Sequence, residues 1–134
     1  MQEDVTFLGH RSDVREIMAV SDVVCALSQQ PESFGRTVLE ALALGKPVLG
    51  YDCGGVGELL ATVFPEGKVP LGDAEKLEMT ATAILNLKPQ PLVPDGAFTL
   101  NAMCEATLAL YKDLLKSPRV EKSSTHQPPT RGMN

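Results

Sequence analysis

Histidine, cysteine and long apolar runs are all scarce in this 134-residue chain, and each shortage excludes something. The two histidines, His10 and His126, lie far apart, so no zinc cluster of Cys and His can be assembled from them. Cys25, Cys53 and Cys104 are widely spaced and form no CxxC pair, which reads as reduced thiols in a cytosolic protein rather than a disulfide framework. Cys25 and Cys104 sit among apolar neighbours and are expected to be small core residues. No stretch reaches 18 apolar residues, so no membrane span is expected, and the acidic start MQEDV lacks the character of a secretory signal. There is no GxxxxGK[ST] for a P-loop and no GxSxG for a nucleophilic serine. Positive charge is also in deficit, with 12 Lys and Arg against 17 Asp and Glu. Ser117–Asn134 carries three basic residues and one acid, leaving residues 1–116 at a net charge of −7. An acidic chain of this kind has no general attraction for nucleic acid or an anionic membrane surface.

What remains is a single-domain length with strand and helix patterns in alternation. Val5–Leu8, closed by Gly9, reads as a strand, with His10 a loop residue at its end. Asp13 is placed to cap a helix carrying Val14, Ile17 and Met18 on one face, with Glu16 completing a capping-box pattern. Val23–Leu27 reads as a strand buried on both faces. Phe34–Leu44 reads as a helix with Phe34, Val38, Ala41 and Leu42 on one stripe, stopped by Gly45 and Pro47. Val48–Tyr51 is a strand, Val56–Val63 a short helix, and Lys68–Leu71 a doubtful edge strand. Asp73 caps a helix to about Leu87, and a proline-rich loop, Lys88–Asp95, follows. The helix from about Phe98 to Lys116 carries Leu100, Met103, Leu108, Tyr111 and Leu114 as an expected core stripe. Residues 117–134 have little to bury and are expected to be disordered. The alternation predicts an α/β fold, a partial Rossmann-like parallel sheet with flanking helices, whose strands are too few for a full doubly wound domain.

Ligands of open α/β sheets bind beyond the carboxyl ends of the strands, and two such ends are informative. The first holds Glu32, then Ser33, Gly35 and Thr37 at a helix start, where free backbone N–H groups and the dipole favour an anion. Glu40 lies roughly 9 Å along that helix, too far to share a proton with Glu32 but suited to another part of one elongated ligand. The plainer alternative makes Glu32 a solvated loop residue and pairs Glu40 with Arg36 one turn earlier. The apolar residues flanking Glu40 argue that its carboxylate needs a hydrogen-bonding partner. The second strand end, Asp52-Cys53-Gly54-Gly55-Val56-Gly57-Glu58, suits either close approach to a phosphate or sugar, or a tight strand-to-helix turn needing positive φ. Its glycines resemble a dinucleotide fingerprint but lack the third glycine.

The segment Pro31–Val48, with Glu32, seven residues, Glu40, Phe34-Gly35 between them and Glu-Ala-x-Ala-x-Gly-x-Pro-Val after, resembles the signature of the retaining GT-B glycosyltransferases of family 4, or group 1. Val5–Gly9, Asp13-Val14, Ser21–Val24, Gly54–Glu58 and Gly72-Asp73 match in register, so the resemblance covers roughly Val5 to Leu115. It implies that Glu32 is the catalytic-site acid that positions the donor sugar near the anomeric carbon, and that Glu40 accepts hydrogen bonds from the ribose hydroxyls. Ser33, Phe34, Gly35, Arg36 and Thr37 would hold the sugar or diphosphate at the helix start. Gly9, His10 and Arg11 would lie against the base, and Asp52, Gly54, Gly55 and Glu58 would line the neighbouring strand end. The resemblance further implies no metal and no cofactor beyond a nucleotide-sugar donor of UDP, GDP or ADP type. Retention is explained in this family by front-face attack or by a covalent glycosyl-enzyme.

Against that family the opening strands are absent, so the chain resembles the last two-thirds of a C-terminal donor domain, residues 1–116, with a tail at 117–134. The expected partners are an N-terminal GT-B domain and an acceptor glycan or lipid-linked glycan, with no nucleic acid. The expected setting is bacterial polysaccharide or lipopolysaccharide synthesis in the cytoplasm, with the parent enzyme peripheral to the inner membrane. An incomplete sheet also leaves an open edge for self-association, so a non-catalytic GT-B-derived interaction domain is the competing expectation. A GT-B epimerase or phosphorylase relative is a third.

Overall fold

The computed structural model describes residues 4–116. The chain divides into two compact units, Met1–Asp95 and Gly96–Asn134. In the first, helix α1 (Val14–Val20) leads into strand β1 (Val24–Ala26), helix α2 (Arg36–Ala43) and strand β2 (Val48–Tyr51). Helix α3 (Gly54–Val63), a short 3-10 turn at Pro65–Gly67, strand β3 (Lys68–Val69) and helix α4 (Ala74–Leu87) complete it. The three strands form a parallel sheet in the order β1-β2-β3, paired Val24 to Val48 and Gly50 to Lys68. Each pair of neighbouring strands is joined by a helix, as parallel pairing demands. The α/β class and the parallel sheet flanked by helices are as the alternation predicts.

The core lies around β2. All four of its residues are buried, because both faces are covered and both edges are paired. Val38, Ala41 and Leu42 are the buried residues of α2, and their spacing of three and four places them on one stripe. They join Leu59, Leu60 and Val63 of α3, Ile84 of α4 and Met18 of α1 in one cluster. Gly45 follows α2 in the left-handed region (φ 71°) and Pro47 bars continuation. The cap of α4 is as the sequence predicts: Asp73 Oδ1 accepts the Lys76 backbone N–H at 2.8 Å.

Several expectations are corrected. Residues 5–10 form no strand and are exposed, Phe7 to 95%. The apolar run at 5–8 has the composition of a strand, but none of the described strands pairs with it. Val23–Leu27 contracts to three residues at the sheet edge, and its central Cys25 is exposed rather than buried on both faces. Neighbouring atoms still desolvate that thiol enough to push its pKa up. Only Met18 of the α1 stripe is buried. Asp13 occupies the α1 N-cap without a side-chain cap bond. Its carboxylate instead takes the Arg11 guanidinium, with Nε 2.8 Å from Oδ1.

The second unit contains helix α5 (Leu100–Lys116), as the periodicity predicts. It buries none of its residues, so Leu100, Met103, Leu108, Tyr111 and Leu114 are exposed rather than core. Cys104 is exposed too. The disorder expected for 117–134 lies outside the described residues.

Two substitutions test this account by urea denaturation. Leu60→Ala, at 0% exposure, is expected to cost about 2–5 kcal/mol, and Asp73→Ala about 1 kcal/mol. Equal small losses for the two would show that the cluster under β2 is not the centre of the core.

Candidate functional site

Beyond the carboxyl ends of β1 and β2 the chain makes two turns that meet. The first, residues 27–35, carries Glu32, Ser33 and Phe34, all exposed, and ends at buried Gly35. The second, Asp52-Cys53, leads directly into α3 at Gly54. The Gly55 N–H donates to the Glu32 carbonyl at 2.7 Å, and the Cys53 thiol lies 3.9 Å from the Gln29 carbonyl.

The contact has no room for side chains on the glycines. A β-carbon on Gly55 would come within 2.5 Å of the Phe34 backbone, and one on Gly54 within 2.7 Å of the Glu32 carbonyl. Gly35 is the N-cap of α2 in the left-handed region, φ 76°, and a β-carbon there would press on Val56 at 3.1 Å. Of the two sequence readings of Gly54-Gly55, the tight turn is observed, with Gly54 at φ 55°. Its purpose is close packing against the Glu32 loop.

At the start of α2 the first helical bond runs from the Leu39 N–H to the Gly35 carbonyl. The N–H groups of Arg36, Thr37 and Val38 precede it and have no partner within the helix. The loop that carries Glu32 leads directly into this helix start, where the positive end of the helix favours an anion. Glu40 follows one turn on and is exposed. Arg36 Nε donates to Glu40 Oε1 at 2.8 Å, so the plainer sequence alternative for Glu40 is met. An exposed pair at this spacing is worth only about 0.3–0.5 kcal/mol, so Glu40 can exchange Arg36 for a ligand hydroxyl at small cost.

Glu40 also borders a cavity of about 360 Å³ with Arg15 and Met18 of α1 and Ala43 and Leu44 of α2. Sequence reasoning missed Arg15, because helical periodicity assigned it only to the polar face of α1. Gly9 and His10 are exposed in the segment before α1, and Arg11 is engaged by Asp13. That guanidinium holds the Asp13 carboxyl below the usual carboxylate range, an interaction kept at neutral pH and lost as pH falls through the depressed value. Asp52 is paired with Lys68 across the end of the sheet, and Glu58 is exposed on α3. Among the described residues no three His, Cys, Asp or Glu side chains gather as a metal site. A second cavity, of about 260 Å³, lies at the amino ends of β1 and β2 between Lys46 and Lys88. Helices α1, α2 and α4 end around it, and their carbonyls favour the lysines as structural counter-charges.

The glycine contact is testable by denaturation. Gly55→Ala is expected to cost about 1–3 kcal/mol, since the Phe34 backbone must move, while Glu58→Ala stays within about 0.5 kcal/mol. Similar values for both would show that the two turns are not locked.

Comparison with known proteins places these turns in context. The chain is 42% identical over 60 residues to the N-acetyl-alpha-D-glucosaminyl L-malate synthase of Bacillus anthracis, covering 45% of this chain and 16% of that one. It is 34% identical over 85 residues to the phosphatidyl-myo-inositol mannosyltransferase of Mycobacterium leprae, covering 62% and 23%. Crystal structures of Anabaena HepE superpose with TM-scores of 0.57, in complex with UDP, and 0.53, in complex with UDP-glucose. Identities there are 33% and 35%, over 65% and 63% of this chain and 24% and 23% of HepE. The chain thus spans about a quarter or less of the relatives it matches. The pattern of the glycosyl transferases group 1 family matches residues 1–90, which include both turns and the whole of α2, and the chain belongs to that family.

Proposed function

We propose that this chain binds a nucleotide-sugar donor, for glycosyl transfer with retention by the protein of which it forms the donor side. One observation carries the reading: the α2 N-terminus, whose first three N–H groups have no partner within the helix, opens just after Glu32 and one turn before Glu40. The diphosphate would lie at that helix start, near Ser33, Phe34, Gly35, Arg36 and Thr37. Glu40 would take the ribose hydroxyls, and Gly9, His10 and Arg11 would lie towards the base. Glu32, in the loop ahead of the helix, would face the sugar.

The chemistry suits this division. Breaking the bond between sugar and diphosphate builds negative charge on the leaving group and positive charge on the ring. Backbone donors and the helix dipole stabilise the first, and a carboxylate held at the ring supports the second. HepE was crystallised with UDP and UDP-glucose, which supports a uridine nucleotide over GDP or ADP. The acceptor, a glycan or lipid-linked glycan of a bacterial polysaccharide, would be held by parts of the protein corresponding to the rest of its relatives. No cofactor enters this scheme, since the donor itself carries the group transferred.

A second reading, a non-catalytic association domain, is favoured by the outer edge of β1, unpaired among the described residues, and by exposed Leu27 next to it.

Calorimetry with UDP-glucose, UDP, GDP-mannose and ADP-glucose tests the proposal, with light scattering on the same sample. Glu40→Ala is expected to weaken UDP and UDP-glucose alike by about tenfold, the loss of one or two charge-assisted hydrogen bonds. Glu32→Ala should weaken UDP-glucose alone. A well-folded sample that binds no donor at millimolar concentration, and is dimeric, would replace the donor reading with the association one.

A further inference from the structure

Asp52 is the first residue beyond β2; it is hydrogen-bonded in two directions and packs closely in a third. Its backbone N–H donates to the Val69 carbonyl at 2.7 Å, and its Oδ2 accepts from Lys68 Nζ at 2.8 Å. Its Oδ1 faces the first turn of α3 so closely that a β-carbon on Gly57 would come within 2.4 Å of it. One carboxylate therefore spans β3 and the start of α3. The same turn reaches the other way, through the Gly55 N–H, to the Glu32 carbonyl.

We infer that Lys68 and Asp52 are positioning residues, a latch that holds the α3 turn and through it sets where Glu32 stands. The inference rests on the donor reading and adds to it the group that governs the sugar end of the site. Lys68 reaches the site through Asp52, its hydrogen-bonded partner. It is the least exposed charged group among the described ion pairs, at 31%, on a strand whose next residue, Val69, is fully buried. An apolar side chain would be cheaper in that half-buried place. Partly exposed ion pairs add only about 0–1 kcal/mol to stability, so stability alone gives little reason for a lysine there. Geometry gives one: a mobile Asp52 would release the α3 turn, and the Glu32 backbone would lose the donor that anchors it. The Arg36–Glu40 side of the site lies on α2 and does not pass through this chain of contacts.

That asymmetry supplies the test, made on the full chain by calorimetry with UDP and UDP-glucose and by amide hydrogen exchange without ligand. Lys68→Met is expected to weaken UDP-glucose about fivefold, to leave UDP within about twofold, and to speed Gly55 N–H exchange about fivefold, each fivefold change being near 1 kcal/mol. Lys68→Arg should restore all three, and Asp52→Asn should reproduce Lys68→Met. Equal losses for the two ligands, or an unchanged Gly55 exchange rate in both variants, would overturn the latch. If the unaltered chain binds neither ligand, the donor reading fails, and Gly55 exchange alone still decides whether the pair holds the turn. Should Lys68→Met fail to fold, Asp52→Asn and Lys68→Arg carry the same comparison.

Discussion

Two turns leaving the ends of adjacent strands approach so closely that a β-carbon on either Gly54 or Gly55 would collide with backbone of the other turn, and one hydrogen bond, from the Gly55 N–H to the Glu32 carbonyl, joins them. The rest of the arrangement depends on this approach. It anchors the carbonyl of Glu32, so that residue does not stand on a free loop, while α2 is seated by its own buried stripe with Gly35 close against Val56. Glycine is required at 54 and 55 because the separation there is set by backbone contact, which no rotamer change can relieve. The core below makes the approach possible. Val38, Ala41 and Leu42 fix α2 on the sheet while Leu59, Leu60 and Val63 fix α3, so the two helix starts converge from elements that cannot drift apart.

The two glutamates of the motif are held in different ways, and the difference follows from their surroundings. Glu32 is positioned through its main chain, which leaves its side chain exposed. Glu40 is positioned through its side chain, by Arg36 one turn earlier on the same helix. A weak, exposed ion pair of this sort keeps a carboxylate oriented while its energy stays small enough to be replaced. Structural pairing and ligand binding are therefore compatible for Glu40, although they stood as alternatives when only spacing was available.

Much of the fold was legible. The three- and four-residue spacing in α2 named Val38, Ala41 and Leu42, the cap at Asp73 formed as its position before a helical pattern required, and the apolar run at 48–51 proved to be the central strand. Where the reading failed, an apolar pattern had been taken to imply cover. Val5–Leu8, Cys25 and the α5 stripe all have the composition of buried segments and are exposed among the described residues. Hydrophobicity states that a face gains by leaving water; it does not say which residues will cover it. Asp13 failed differently. The cap position was right, but a nearby guanidinium competed for the carboxylate, and a charged donor outmatched a backbone one.

Sequence alone determined most of the elements, the stop of α2 and the spacing of Glu32 and Glu40, since these follow from local periodicity and from residues that cap or break a helix. Only the tertiary structure decided that Gly55 meets Glu32 across 23 positions, that Asp52 is held by Lys68 across 16, and that Arg15 shares a cavity with Glu40. Those contacts join residues with no periodic relation to one another. The first two arise because β2 lies between β1 and β3, which brings residues at the ends of neighbouring strands together, and the third because α1 packs beside α2.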